Sequence, residues 1–327
     1  MKALVLEEYN TPFALKEMPT PAAGPGQVLV KVHASGVNPL DLKIAAGQAA
    51  HAQTRLPAIL GIDLAGEVVA LGAGVGKFHP GDAVYGMTGG IAGIPGSLAE
   101  YAAVDADLLA LKPQSLSMRE AAALPLILIT AWEAIVDQAK VQAGHTVLVH
   151  GGAGGVGHIA VQLAKTMGAN VYSTVRSEYE ALILQYGATP IDYTLHSVEE
   201  YVRVHTQDQG FDVVLDTVGG ATLDASFKAA KRYTGHVVSI LGWGTHSLAP
   251  LSFRSATYSG VFTLYPLISG QGRAHHGEIL NAATALIDEG RIKPLVNART
   301  YTLTEIADAH RAVQQGRTSG KIVVSVQ

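Results

Sequence analysis

A glycine-rich turn between an apolar run and an amphipathic segment constrains this chain more than any other feature. Val147-Leu148-Val149-His150 leads into Gly151-Gly152-Ala153-Gly154-Gly155-Val156-Gly157, so Gly152, Gly154 and Gly157 fall in G-x-G-x-x-G spacing. Beyond it, Val156, Ile159, Ala160, Leu163 and Met167 recur at the period of one helix face. A strand that ends in such a turn and restarts as a helix opens a βαβ unit. There Gly152 permits the sharp turn, Gly154 lets backbone approach a pyrophosphate, and Gly157 lets helix and strand pack closely. The helix N-terminus then offers unpaired N–H groups and a positive dipole end to the phosphates.

The texture on either side sets the rest of the fold. From Met1 to about Lys112, short alternating runs broken by Gly and Pro predict β structure, as at Val28, Val30, Val32 and Ala34. After Pro113, apolar strands alternate with helical periods. Residues 146–150, 170–175, 211–216 and 236–241 read as strands, which predicts a parallel, doubly wound sheet. Residues 121–135 read as one buried helix, short of the roughly 20 residues that span a bilayer. Near the end, Thr302-Leu303-Thr304-Glu305 has the form of a capping box opening a helix that stops at Gly316, followed by a strand over 321–326. The polar stretch 244–259 is the linker candidate. A chain of 327 residues exceeds one ordinary core, so two domains are expected, one inserted into the other.

Composition narrows the function. The 23 Lys and Arg against 27 Asp and Glu give a net charge of -4, which leaves no basic field for nucleic acid. With 0 Cys, disulfides, thiol nucleophiles and thiolate metal sites are excluded. Glu7 and Glu8 interrupt the apolar start where a signal peptide would have its core, so a cytoplasmic protein with no membrane partner is expected. The 13 His include His275-His276 but show no ligand spacing, and they read as surface or hydrogen-bonding residues rather than metal ligands. At the end of the second strand, where an NAD enzyme carries an acidic residue for the ribose, stand Arg176 and Ser177. A guanidinium suits a 2′-phosphate and no carboxylate repels it there, so NADPH is expected.

Taken together, five segments resemble the medium-chain dehydrogenase/reductase superfamily, in particular its zinc-independent NADPH:quinone oxidoreductase branch. They are Asn38-Pro39-Leu40-Asp41-Leu42-Lys43, Leu60-Gly61-Ile62-Asp63-Leu64-Ala65-Gly66, Gly81-Asp82-Ala83-Val84-Tyr85-Gly86, the turn from Gly152 to Gly157, and Gly320-Lys321-Ile322-Val323. The resemblance implies an α/β chain with a GroES-like β domain over residues 1–121 and 266–327. A doubly wound Rossmann domain over 122–265 would be inserted in it, with nicotinamide and substrate held in the cleft between them. It also implies a homodimer paired through the strand at 258–264.

For single residues, the resemblance places Asn38, Asp41 and Thr130 near the nicotinamide, and Arg176, Ser177 and Tyr193 around the adenosine phosphate. Thr217 lies beside the ribose or pyrophosphate, and Leu241, Gly242 and Trp243 run along the cofactor. Gly152, Ala153, Gly154, Gly155, Val156, Gly157 and Lys321 complete the cofactor-binding set. Zinc-dependent members hold their metal with Cys and His. Here Asn38 stands in place of a ligand Cys and Ile62-Asp63 in place of a His-Glu pair, so no metal is expected. Two positions depart from many relatives: Glu180 replaces a phosphate-binding Lys, and Lys43 replaces a Tyr, as in enone and alkenal reductases.

Without a Lewis acid, the acceptor must bring its own electron sink. Quinones and α,β-unsaturated carbonyls do so, because an arriving hydride leaves a delocalised anion that a few donors can stabilise. Lys43 is the expected cation or proton source and Asn38 the orienting donor. A reading from another class is an NADPH-binding, crystallin-like or regulatory protein with little turnover, which NADPH oxidation against a panel of acceptors separates from an enzyme.

Overall fold

A computed structural model describes residues 1–316 and 319–326. The chain divides into two compact units, Met1–Leu126 with Leu264–Gln327, and Ile127–Thr263.

In the first unit, Gln27–Gly36 is the central strand. Its residues Val28, Val30, Val32 and Ala34 are buried in alternation, the period of a strand with one face on a core. Asp63–Leu71 and Tyr101–Asp105 pair antiparallel with it, and Ala83–Met87 and Leu109–Leu111 extend the sheet. Val323–Ser325, from the far end of the chain, pairs with its last three residues. Helix Arg273–Asp288 is pinned to this sheet and to the loop that follows its Leu109–Leu111 strand. Arg273 donates to Asp105 at 3.0 Å, the buried Tyr85 hydroxyl donates to the Leu280 carbonyl at 2.8 Å, and Asp288 accepts from the Ser115 N–H at 2.9 Å. Of His275-His276, read as surface or hydrogen-bonding residues, His275 is exposed. His276 is buried, since helical spacing sets it on the face of Ile279, Leu280 and Ala283.

In the second unit, six parallel strands lie in the order Thr189–Asp192, Asn170–Val175, Thr146–His150, Val213–Asp216, His236–Ser239 and Thr257–Gly260. The chain moves outward from Thr146–His150 in one direction, then returns to its other side. Such a switch point opens a crevice at the carboxyl ends of the strands. Helix Gly155–Thr166 follows the glycine turn. It is buried continuously from Gly157 to Ala164, a broader face than the expected stripe. The cause is packing on two sides, against strands Thr146–His150 and Asn170–Val175 and against the turn Glu133–Gln138.

Strands 146–150 and 170–175 have the predicted bounds, whereas those at 211–216, 236–241 and 321–326 shrink to Val213–Asp216, His236–Ser239 and Val323–Ser325. The single helix expected over 121–135 is instead Met118–Ala122, Pro125–Trp132 and a π-turn, Glu133–Gln138. Pro125 has no N–H to continue the first helix but is well suited to open the second. Residues 244–259 are no linker, since they contain helix Ala249–Ser252 and most of the edge strand Thr257–Gly260. The capping box at Thr302 and Glu305 is formed, and helix Ile306–Gln315 ends at Gly316 with φ 61°.

Tyr85→Phe removes the hydroxyl that ties the long helix to the sheet. A loss of about 1 kcal/mol of unfolding free energy is expected. Urea denaturation should show a lower midpoint at unchanged slope, and an unchanged midpoint would contradict that role.

Candidate functional site

Two groups of residues stand out, one in each unit. In the second, the residues predicted for the cofactor lie at or just beyond strand ends. A Cβ on Gly152 would stand 1.9 Å from the Ser173 Oγ, and one on Gly157 2.1 Å from the Gly151 carbonyl oxygen, so the tight turn requires glycine at both. Gly154 and Gly155 are exposed and the helix that follows has no side-chain cap, which suits its first N–H groups to an external anion. The turn thus fits a dinucleotide pyrophosphate.

Arg176 follows Asn170–Val175 directly and is exposed. Its Nε donates to the Tyr193 hydroxyl at 3.1 Å. The neighbouring carboxylate, Asp192, is turned onto other donors: it accepts the Ser177 N–H at 3.0 Å and both the N–H and hydroxyl of Thr194. Thr217 donates to the His150 carbonyl at 2.6 Å. Leu241, Gly242 and Trp243 follow the end of His236–Ser239, with Gly242 and Trp243 exposed. Thr130 lies on helix Pro125–Trp132 rather than at a strand end, within hydrogen-bond distance of the Thr263 hydroxyl at 3.1 Å.

In the first unit the structure brings Asn38, Asp41 and Lys321 together and adds Asp63. All four are buried. Lys321 Nζ donates to the Val37 carbonyl at 2.8 Å and to Asn38 Oδ1. Asn38 Nδ2 donates to Asp63 at 2.9 Å, and Asp63's other oxygen accepts the Leu126 N–H at 2.9 Å. The Asn38 N–H donates to Asp41 at 2.8 Å, closing a capping box on helix Pro39–Ala45. Lys43 lies in the last turn of that helix and is exposed. Lys321, predicted to bind cofactor, thus spends its ammonium inside the protein, and Asn38 has both ends of its amide engaged.

Sequence reading missed Asp63 as a site residue. The available signal was its place in an otherwise apolar run, Leu60-Gly61-Ile62-Asp63-Leu64-Ala65, where a carboxylate must find partners or stay protonated. Burial pushes Asp41 up to about 7, with the Asp63 charge adding and the Asn38 N–H and Lys321 opposing. Burial likewise pushes Asp63 up to about 6, against Lys321, Asn38 and the Leu126 N–H. Lys321 is lowered by burial and supported by Asp63 and Asp41. One ammonium therefore faces two reluctant carboxylates.

Among the described residues, no group of three or more His, Cys, Asp or Glu could hold a metal ion, and no helix is long and apolar enough to cross a membrane.

The fold and the glycine turn define a two-unit, dinucleotide-dependent dehydrogenase or reductase. Residues 24–114 match the alcohol dehydrogenase GroES-like domain, and residues 186–324 match the zinc-binding dehydrogenase family. The NADPH-dependent alkenal/one oxidoreductase of Arabidopsis thaliana chloroplasts is 33% identical, over 99% of this chain and 79% of its own. An alcohol dehydrogenase superfamily protein from Novosphingobium aromaticivorans is 55% identical, with full coverage of both chains and a TM-score of 0.98. The quinone oxidoreductase from Coxiella burnetii is 31% identical, covers 100% of this chain and 99% of its own, and has a TM-score of 0.82. The chain belongs to the medium-chain dehydrogenase/reductase superfamily, in its zinc-independent quinone oxidoreductase branch. It is an oxidoreductase that uses a nicotinamide cofactor and acts on a small molecule.

A buried carboxyl whose folded value is raised stabilises the protein fully below its ordinary value of 3.8, and that contribution is lost as pH rises through about 7. His150 and His310, lowered to about 4 by burial, act in the opposite sense and lose stability as pH falls from 6.5. Asp41→Asn isolates the carboxyl within its surroundings of Asp63 and Lys321. Relative to wild type, the variant should gain unfolding free energy steadily between about pH 4 and pH 7, measured by urea denaturation. A constant difference across that window would refute the raised value.

Proposed function

We propose that this protein is a cytoplasmic, homodimeric oxidoreductase that draws a hydride from NADPH and delivers it, without zinc, to a quinone or an α,β-unsaturated carbonyl. The observation that carries this reading is Arg176, exposed beside the glycine turn while the nearest strand-end carboxylate, Asp192, is turned onto Ser177 and Thr194. An exposed guanidinium whose neighbouring strand-end carboxylate is engaged elsewhere favours a 2′-phosphate, with the Glu178 charge as its opposing neighbour. Gly152, Ala153, Gly154, Gly155, Val156 and Gly157 cradle the pyrophosphate, with Arg176, Ser177 and Tyr193 on the adenosine phosphate. Thr217, Leu241, Gly242, Trp243 and Thr130 complete the cofactor's path in the second unit.

NADPH supplies the hydride. The residues of the chain deal with the anion that results: Lys43 gives the cation or the proton, and Asn38, its amide held between Lys321 and Asp63, orients through the helix it begins. A chain without Cys, with Asn38 and Ile62-Asp63 at the zinc-ligand positions of its family, supports a metal-free reaction. The alkenal/one and quinone oxidoreductases among its relatives support the acceptor class. Edge strand Thr257–Gly260, with partly exposed Tyr258, supports pairing between copies.

Wild type should bind NADPH more tightly than NADH, and Arg176→Ala should weaken NADPH by about tenfold while leaving NADH unchanged. Equal affinities in wild type would defeat the cofactor assignment. NADPH oxidation should be rapid with a quinone or enone and negligible with simple ketones. Lys43→Ala should lower kcat by about 10²-fold to 10³-fold at unchanged cofactor affinity. Tight NADPH binding without turnover on any acceptor would favour a binding protein instead.

A further inference from the structure

Helix Pro39–Ala45 has 7 residues, too few to hold itself in water, yet it carries Lys43. Its start is fixed by an unusual set of bonds. The amide of its N-cap residue, Asn38, lies between a group that only donates, the Lys321 ammonium on Oδ1, and the Asp63 carboxylate, which takes the Nδ2 hydrogen at 2.9 Å. This fixes the orientation of the amide, because a flip would set NH₂ against an ammonium and oxygen against a carboxylate. Asp63 is anchored in turn by the Leu126 N–H, and Lys321 by the Val37 carbonyl.

We propose that Asp63 and Lys321 are positioning residues that clamp the Asn38 amide, and with it the start of helix Pro39–Ala45, so that Lys43 is presented to the hydride acceptor in one place. The proposal rests on the reading in which Lys43 serves the acceptor's oxygen. Asp63 is the decisive residue. Its two oxygens face two donors, Asn38 Nδ2 and the Leu126 N–H, so an Asn there must turn its own NH₂ onto one of them. Asp63→Asn also leaves Lys321 and Asp41 as a balanced pair, so the variant should fold.

The test is a double-mutant cycle of Asp63→Asn with Lys43→Ala, joined to hydrogen exchange. Asp63→Asn alone should lower kcat by about tenfold to 10²-fold, the scale of a displaced group, with KM for NADPH unchanged. In the Lys43→Ala background it should cost nothing further. Exchange of the Leu42 to Ala45 amides should quicken in Asp63→Asn, while the strand Thr146–His150 keeps its protection. A kcat within about twofold of wild type, an equal loss with and without Lys43, or unchanged helix protection would each overturn the proposal. If wild type reduces no acceptor, the proposed function fails, and the exchange measurement still decides whether Asp63 holds the helix.

Discussion

The first unit is organised around one buried ammonium. Lys321 reaches Val37 and Asn38 across 284 and 283 residues of sequence. Taking an ammonium out of water costs several kcal/mol unless its hydrogens are bonded and its charge is met. Both conditions hold here: a carbonyl and an amide oxygen accept from it, and Asp41 and Asp63 supply the opposing charge. The C-terminal strand pairs with the central strand in the register Val323 to Gly36, which carries Lys321 to its acceptors. Strand pairing and charge pairing therefore favour the same register, and a slip of one residue would leave the ammonium buried without partners. Through Asp63 the same charge balance extends to the Leu126 N–H, at the start of helix Pro125–Trp132.

The second unit depends on backbone geometry more than on charge. Its glycine turn is closed by contacts that admit no Cβ, and the strand ends around it are cross-linked by side chains. Asp216 accepts the N–H groups of Val218 and Gly219 and, through its other oxygen, the Ser239 hydroxyl at 2.7 Å, joining two neighbouring strand ends. Thr217 adds a bond back to the His150 carbonyl, on the strand that enters the turn. Three adjacent strands thus end on one rigid platform, and rigid elements hold a ligand's contacts better than free loops do.

Features set by neighbours in sequence were legible, and features set by distant partners were not. The turn, the strands at 146–150 and 170–175 and the Thr302 capping box follow from spacing within a dozen residues. Arg176 stands out because its place is counted from the turn. The break at Pro125 was there to be read, but the apolar character of residues 121–135 outweighed it. The Asp63 role had no periodic signal, since its partners are Asn38, 25 residues away, and Leu126, 63 residues away. Lys321 enters the cofactor set only through the family resemblance; the strand register shows that its ammonium goes to Val37 and Asn38 instead. The extended face of helix Gly155–Thr166 reflects the Glu133–Gln138 turn, which arrives from an earlier stretch of chain.

A cluster of two carboxylates, an amide and an ammonium is not the cheapest way to fill a core. Apolar side chains of similar volume often fold as well or better than a buried ionic group. What an apolar core does not provide is direction. Hydrogen bonds with assigned donors and acceptors leave the Asn38 amide one orientation, and Asn38 begins the helix that ends near Lys43. Exposed lysines ordinarily sample many rotamers, so the main chain beneath Lys43 has to supply the order that its side chain lacks. In the proposed role of Lys43, the buried cluster and the exposed lysine are two parts of one arrangement: charge withdrawn from water fixes the backbone, and the backbone fixes where a mobile charge can act.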